Sequence, residues 1–472
     1  MEITITKHDI LWNYIAQFFN LGSGFFVLPV ILHLLSPEEV GMNYLMLSVS
    51  SLVALADFGF SDQFGRNLTY VFSGAQELKK DGMSNQTCGD INYRLLAVVI
   101  ETAKFIYKKI SIFVLFVMLT LGSLYMFQAT NGFSSVKNSI WIWILFSIST
   151  YFNIYFKYYS TLLTGAAMIM ESKKALMLNR MGYIFISFLF LFLGFGLISI
   201  VFANFISPFI GRWYSYCQFY NKELQNHLKG INPRKDEIKE TFNILWYNAK
   251  KLGINFVGAY GIQQSGTFII GFFLSLEEIG SYGLMCQLFQ ISAALSLGVF
   301  TSYLPIFYKE RVDGNISKLV IDFSFSVFIF IIIFTSCGLL ILFWGDEILS
   351  LISSQTMLPV SSVLFIYFVH MFLENYHSIC ATMIVTNNQV PFVKAAIYSG
   401  ILVILCNIST LKFTELGLFG VVLGQLIVQS IYNHWKWPLW IFKEFRLNPM
   451  KIICIGGNEL CRIATSTKSF NR

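Results

Sequence analysis

The chain has 472 residues, 55% of them hydrophobic and only 12% charged, with a formal net charge of +7 and a mean hydropathy of +0.62. A soluble domain carries about twice that share of charge, so a water-soluble enzyme or a nucleic-acid binder is excluded as the class, and the positive balance calls for a membrane explanation. The eight cysteines include no Cys-x-x-Cys pair and fall mostly in apolar runs, where cysteine is a small hydrophobe; no disulfide, metal cluster or cofactor is expected.

In chain order, the sequence predicts about twelve helical spans, each near the ~20 residues that cross a ~30 Å hydrocarbon core. Six fall at 10–33, 40–62, 110–128, 139–163, 176–194 and 197–217, and six more at 251–274, 279–305, 320–344, 359–385, 391–410 and 416–436. The opening Met1-Glu2-Ile3-Thr4 runs into the first span and does not read as a cleavable leader. The expected organisation is an N-terminal six-helix lobe (1–217), a cytoplasmic linker (218–243), a C-terminal six-helix lobe (244–437) and a cytoplasmic tail (438–472).

A repeated phrase supports two similar halves. Leu35-Ser36-Pro37-Glu38-Glu39-Val40-Gly41 returns as Leu274-Ser275-Leu276-Glu277-Glu278-Ile279-Gly280, and Ile10-Leu11-Trp12 returns as Ile244-Leu245-Trp246. Six plus six spans make the repeats parallel, the pattern of transporters whose substrate path runs between rocking halves. Loops 34–39, 195–196, 275–278 and 345–358 contain no Lys or Arg, whereas alternate loops carry Lys79, Lys80, Arg94, Lys108, Lys173, Lys174, Arg234, Lys235, Lys309 and Arg311. The positive-inside rule then puts both termini and the linker in the cytoplasm. Tyr93 to Lys109 alternates apolar and basic residues, which fits either an interfacial amphipathic helix or an extension of span three. The basic tail beyond Pro438 fits a position near anionic lipid.

Ionisable residues inside spans need a reason, since each is penalised by at least ~2.5–3.5 kcal/mol on insertion scales. Glu374 lies midway along span ten, with His370 at i−4 and His377 at i+3. A carboxylate between two imidazoles within one turn suits holding and releasing a proton or sodium ion, and the bland alternative is a neutral Glu bonded between helices. Lys157, within Tyr155-Phe156-Lys157-Tyr158-Tyr159, lies roughly 27 Å along span four counted from Ser139 at ~1.5 Å per residue; it either lines a cavity or snorkels to the cytoplasmic interface. Asp57 falls late in span two, and Arg66, Arg180, Arg212 and Lys250 stand at span borders. Singly these cations read as interface anchors; together they would give an entrance a positive field suited to phosphate oxygens.

Several phrases resemble the Wzx-type polysaccharide flippases of the superfamily that also holds the peptidoglycan lipid flippase and the MATE antiporters. They are Leu35 to Gly41, Asp57-Phe58-Gly59-Phe60, Arg66-Asn67 with Val71-Phe72-Ser73-Gly74-Ala75, Glu77-Leu78-Lys79-Lys80, Tyr155 to Tyr159, Leu373-Glu374, Thr386-Asn387-Asn388, Pro391-Phe392 and Tyr432 to Pro438. The likeness runs from Trp12 to about Pro438. It implies an all-α, two-lobed polytopic fold of about twelve helices. It also implies translocation of an undecaprenyl-pyrophosphate-linked oligosaccharide from the cytoplasmic to the outer leaflet of a bacterial inner membrane, for O-antigen, lipopolysaccharide or other surface-polysaccharide synthesis, with coupling to an ion gradient. The cationic cavity it implies makes Lys157, Arg66, Arg180 and Lys250 candidates for the pyrophosphate, beside Asp57; Glu374, His370 and His377 are the ion-coupling candidates. Membrane lipids and the assembly enzymes of the same pathway are the expected partners. The rivals are a small-molecule antiporter, MATE-like or of the major facilitator class (Asp62-Gln63-Phe64-Gly65-Arg66 loosely echoes the latter's loop motif), and a membrane sugar polymerase, disfavoured by short external loops without catalytic motifs.

Overall fold

The computed structural model describes residues 24, 26–80, 90–387, 389 and 391–470. Ile10-Leu11-Trp12, most of the expected first span and Asn388 lie outside them. The described chain is α-helical throughout, with no strand among its described residues. By internal contacts it forms two compact units, Met1–Tyr260 with Ser275–Glu277, and Gly261–Leu274 with Glu278–Arg472.

The helices that matter for function in the first unit are α1 (Pro37–Ala54), α2 (Phe60–Phe72), α3 (Tyr93–Ala129), α4 (Ser139–Gly165), α5 (Ile169–Phe192), α6 (Ile198–Phe219), α7 (Lys222–Leu228) and α8 (Lys235–Gln263). The second unit contributes α9 (Leu276–Val312), which begins at the boundary, α10 (Ile316–Leu351), α11 (Ser361–Val385), α12 (Val393–Phe413), α13 (Gly417–Ile431), α14 (Asn433–Phe445) and α15 (Pro449–Phe470). Among the described residues seven helices are long and apolar enough to cross a membrane. Their outer faces carry bare Phe113, Phe116, Leu124, Trp141, Phe185 and Phe192, far more apolar surface than water tolerates. The chain is a multi-pass membrane protein.

The repeated phrase is a helix-start signal. Ser36 caps α1 and Glu39 reaches back to the Ser36 N–H at 3.1 Å, a reciprocal capping box with Pro37 in the first turn. Ser275 and Glu278 hold the same spacing at the start of α9. Glu39 also accepts the Leu197 N–H at 3.0 Å, so it closes the α5–α6 turn, where Gly194 and Gly196 both have positive φ.

The structure decides one pair of alternatives in favour of the extension of span three and adds detail to three other expectations. Tyr93 to Lys109 is the first part of one helix running to Ala129: Asn92 caps it, and Leu96, Val99, Ile100, Ala103, Ile106 and Tyr107 bury one face in the first unit's core. The linker at 218–243 is largely helical. His227 of α7 stacks on Tyr93 at 4.2 Å between ring centroids, and Arg94 donates to Glu237 of α8 at 2.9 Å. The Arg234 N–H, then the Arg94 guanidinium, hold the Glu237 carboxyl below its usual range. The first unit also extends past the expected lobe start at 244, because Leu245 and Ala249 are fully buried in its core and Trp246 stacks on Phe58 and Phe60. The expected tail is helical over most of its described length, in α14 and α15. Gly456 of α15 sits so close to α10 that a Cβ would meet the Phe328 Cβ at 2.5 Å.

Aromatic packing organises the second unit. Phe330 and Phe334 of α10 are fully buried and stack on Phe372 and Phe368 of α11. Gly338 makes room for Phe368, whose ring lies 2.3 Å from where a Cβ would be. In lipid such close van der Waals fit, rather than hydrophobic expulsion from water, holds helices together.

Candidate functional site

In the first unit, Asp57 sits at a deliberate break between α1 and α2. Phe58 and Gly59 both take left-handed backbone angles (φ 47 and 81), which ends one helix and redirects the next. Phe58 is strained there for a side chain this large, and packing holds it: its ring stacks on Trp246 and occupies the space a side chain at Gly253 would fill. The Asp57 carboxylate then accepts from the Ser61 hydroxyl at 3.1 Å, the Ser61 N–H at 3.4 Å and the Tyr107 hydroxyl at 2.7 Å. Across from it, α4 is interrupted at Phe156 and restarts at Lys157. The Lys157 ammonium lies 3.2 Å from Asp57, the lysine side chain 41% exposed and the aspartate 12%. A half-exposed pair of this kind contributes only about 1 kcal/mol to stability, so the lysine is free to change partners.

Lys157 borders two cavities. One, about 240 Å³, is lined by Asp57, Ser149, Thr150, Asn153, Lys157 and Asn204 among others. The second, about 330 Å³, adds Lys173, Arg212, Asn179, Ser160, Ser172 and Ser215. The Arg212 guanidinium carbon stands over Phe156, 4.5 Å from its centroid, a cation–π contact that does not use its hydrogen-bond donors. Three cations and a ring of hydroxyls and amides make this a place for an anionic, polyhydroxylated group. Close approach of α2 and α4 keeps the site narrow: Gly165 stands where a Cβ would meet the Leu68 Cβ at 2.5 Å, and Thr69 donates to its carbonyl at 3.1 Å.

The structure brings together Asp57 and Lys157 of the residues expected from sequence. Arg66 is exposed and donates to Gln63 at 2.5 Å, Lys250 is exposed beside the Tyr247 ring, and the Nε of Arg180 is buried with no hydrogen-bond partner; none of the three lines these two cavities. Lys173 and Arg212 take their place. Arg212 is one of the border cations expected from sequence to shape a positive entrance, whereas Lys173 reads there as an ordinary positive-inside lysine; the pairing of α5 with α6 beside α4 brings both to the cavity.

In the second unit, α11 presents Glu374 and His377 to His434 on α14. Glu374 Oε2 is 3.4 Å from His434 Nε2 and 3.5 Å from His377 Nδ1, with all three side chains largely buried. His434 Nδ1 is 3.0 Å from the Ser430 hydroxyl. His370, expected beside Glu374, instead faces His434 at 5.8 Å between rings, and its Nδ1 has no hydrogen-bond partner. Sequence reasoning assigned His434 no role in this cluster. The helix breaks at Tyr432 (φ −140, ψ −56), and that break aims His434 at Glu374. A histidine next to Asn433 at the end of an apolar run was the available signal.

No protein-family model matches the chain, and no curated protein sequence matches it. Solved structures do. The chain is similar to an inward-facing multidrug resistance MATE family transporter of the MOP superfamily (13% identity, 95% of this chain and 98% of that one, TM-score 0.65). It is similar to the lipid II flippase MurJ in an inward closed conformation (15% identity, 98% and 93% covered, TM-score 0.62), and to an outward-facing MATE transporter (14% identity, 95% and 94% covered, TM-score 0.51). At these identities the likeness is one of fold, and the chain has the all-helical fold of MATE and MOP-superfamily transporters.

Proposed function

We propose that this protein is a flippase that moves an undecaprenyl-pyrophosphate-linked oligosaccharide unit from the cytoplasmic to the outer leaflet of a bacterial inner membrane, by alternating access driven by a proton or sodium gradient, and that it catalyses no covalent step. The observation that carries this reading is the polar cavity pair around Lys157, where Lys173, Arg212 and a set of hydroxyls and amides meet. A pyrophosphate would draw Lys157 away from Asp57, and Arg212 would bind two of its oxygens at once. Sugar hydroxyls would exchange hydrogen bonds with Asn153, Asn179 and Ser160. The MurJ-like fold supports a lipid-linked cargo, and the Glu374 cluster supplies the groups for ion coupling. The assembly enzymes of the same pathway would be its partners in the membrane. The multidrug-transporter likeness favours a small-molecule antiporter as the second reading.

The deciding experiment deletes the gene in its host and extracts undecaprenyl-linked intermediates. Accumulation of complete, unpolymerised units, relieved by the wild-type gene, is expected. Truncated units would replace the proposal with an enzyme, and an unchanged lipid pool would replace it with the antiporter. The orientation is tested separately: tags inserted in 34–39 and 275–278 should be reached from outside and one in 218–243 only from the cytoplasm, and a single tag on the wrong side refutes the topology.

A further inference from the structure

We infer that Glu374, His377 and His434 form a binding site for one divalent transition-metal ion of the zinc type. Glu374 Oε2 lies 3.4 Å from one imidazole nitrogen and 3.5 Å from the other, and all three donor atoms fall within 4.8 Å of one another. Ligands held at ~2.0–2.1 Å around a tetrahedral zinc ion are separated by roughly 3.4 Å. The two carboxylate–imidazole separations therefore already stand near the edge length of a four-coordinate shell.

Three further observations favour a metal at this cluster. His377 Nδ1 is buried and, despite its closeness to Glu374, makes no hydrogen bond, so its lone pair is available. His434 Nδ1 lies 3.0 Å from the Ser430 hydroxyl, which would serve as the outer partner of a metal-bound imidazole once a metal displaces the proton that Nε2 shares with Glu374. His370, 4% exposed, leaves Nδ1 without a partner while its ring faces His434 at 5.8 Å, a further imidazole beside the three donors. Two imidazoles and one carboxylate form a borderline-soft set that favours zinc, cobalt, nickel or copper over sodium, calcium or magnesium, which prefer oxygen. The carboxylate is buried beside imidazoles with no lysine or arginine among its ion pairs, and a divalent ion neutralises it in a low-dielectric setting. A metal ion and a coupling proton or sodium ion would compete for the Glu374 carboxylate, so the metal would act on transport as a competitor at the same group. The binding claim stands apart from the transport claim, since it is read on purified protein without any substrate.

The test uses untagged full-length protein in detergent. Equilibrium dialysis with zinc chloride alone should give one ion per chain, and cobalt chloride should produce the visible bands of four-coordinate Co²⁺, displaced by zinc. His377→Ala and His434→Ala should each weaken binding at least about a hundredfold, and Ser430→Ala, which removes only the outer partner, about tenfold. His227→Ala, on the distant linker helix, should change nothing. Absence of saturable binding or of the cobalt bands in the wild type overturns the site, whatever the variants do. Binding that survives both histidine substitutions in monodisperse protein overturns it as well. Loss of metal binding with flipping intact would leave the metal site standing and remove the cluster from ion coupling.

Discussion

Glu374→Gln is expected to abolish glycan export while the protein still inserts and folds, measured as loss of surface polysaccharide at unchanged membrane abundance. The substitution keeps the shape of the side chain and removes its charge. The carboxylate lies 3.4 Å from His434 Nε2, a charge-assisted hydrogen bond that becomes a neutral one, and the amide no longer offers a bound cation a negative charge. One such charge-assisted contact is worth ~1.5–3 kcal/mol, roughly tenfold to a hundredfold. An amide also cannot take up and release a proton, so coupling to a proton gradient would stop outright. Glu374→Asp should retain part of the activity, because the shorter acid still ionises. Surface glycan near the wild-type level in cells carrying only the Gln form would take Glu374 out of the mechanism.

The second large effect is at Lys157. Lys157→Ala is expected to lower flipping at least about tenfold and Lys157→Arg much less, since removal of one charge-assisted contact to a phosphate is worth ~1.5–3 kcal/mol. Both substitutions also disturb Asp57, so a neutral double variant separates the two roles. Lys157→Met with Asp57→Leu removes the ion pair from both sides, a change that folded proteins often tolerate. If the lysine serves only to neutralise Asp57, the double variant should recover transport. If it binds the cargo, the double variant should stay as inactive as Lys157→Met alone while running as a monodisperse protein. Asp57→Asn gives the converse control: the ammonium is kept and Tyr107 and Ser61 still have a polar partner. Recovery by the double variant is the result that would reassign Lys157 to packing.

Much of the helical layout is legible from residue patterns, because long apolar runs in a membrane have few alternatives to helix. Phrases such as Leu35 to Gly41 are read correctly as punctuation, and their meaning is chemical: a serine and a glutamate three residues apart satisfy the bare amides of a helix start. Chain segments that bind through tertiary contact were harder. The pattern from Tyr93 to Lys109 allows an interfacial helix or an extension of span three, and the buried stripe from Leu96 to Tyr107 decides for the extension. The polar composition of 218–243 suggests a loop, while Arg94, Glu237, Tyr93 and His227 tie it to α3.

The sites follow the same division. Asp57 and Lys157 stand out because charge inside a span demands explanation, but nothing in the sequence pairs residues a hundred positions apart. Arg212 is visible as one of several border cations, but Lys173 looks like any positive-inside lysine until α5 and α6 fold back on each other. Glu374 and His377 are neighbours on one helix and visible as such, whereas His434 is 60 residues away and reaches them only through a kink that no local pattern announces.

That kink at Tyr432 has a thermodynamic consequence. α13 and α14 would place His434 elsewhere if they ran on as one straight helix, so the bent backbone and the three-donor arrangement exist together or not at all. Any cation that binds Glu374, His377 and His434 jointly must stabilise the bend, and the bend must raise the affinity for that cation by the same factor. Occupancy of a few buried atoms is thus converted into the direction of a whole helix, and ion concentration becomes a variable that sets backbone shape.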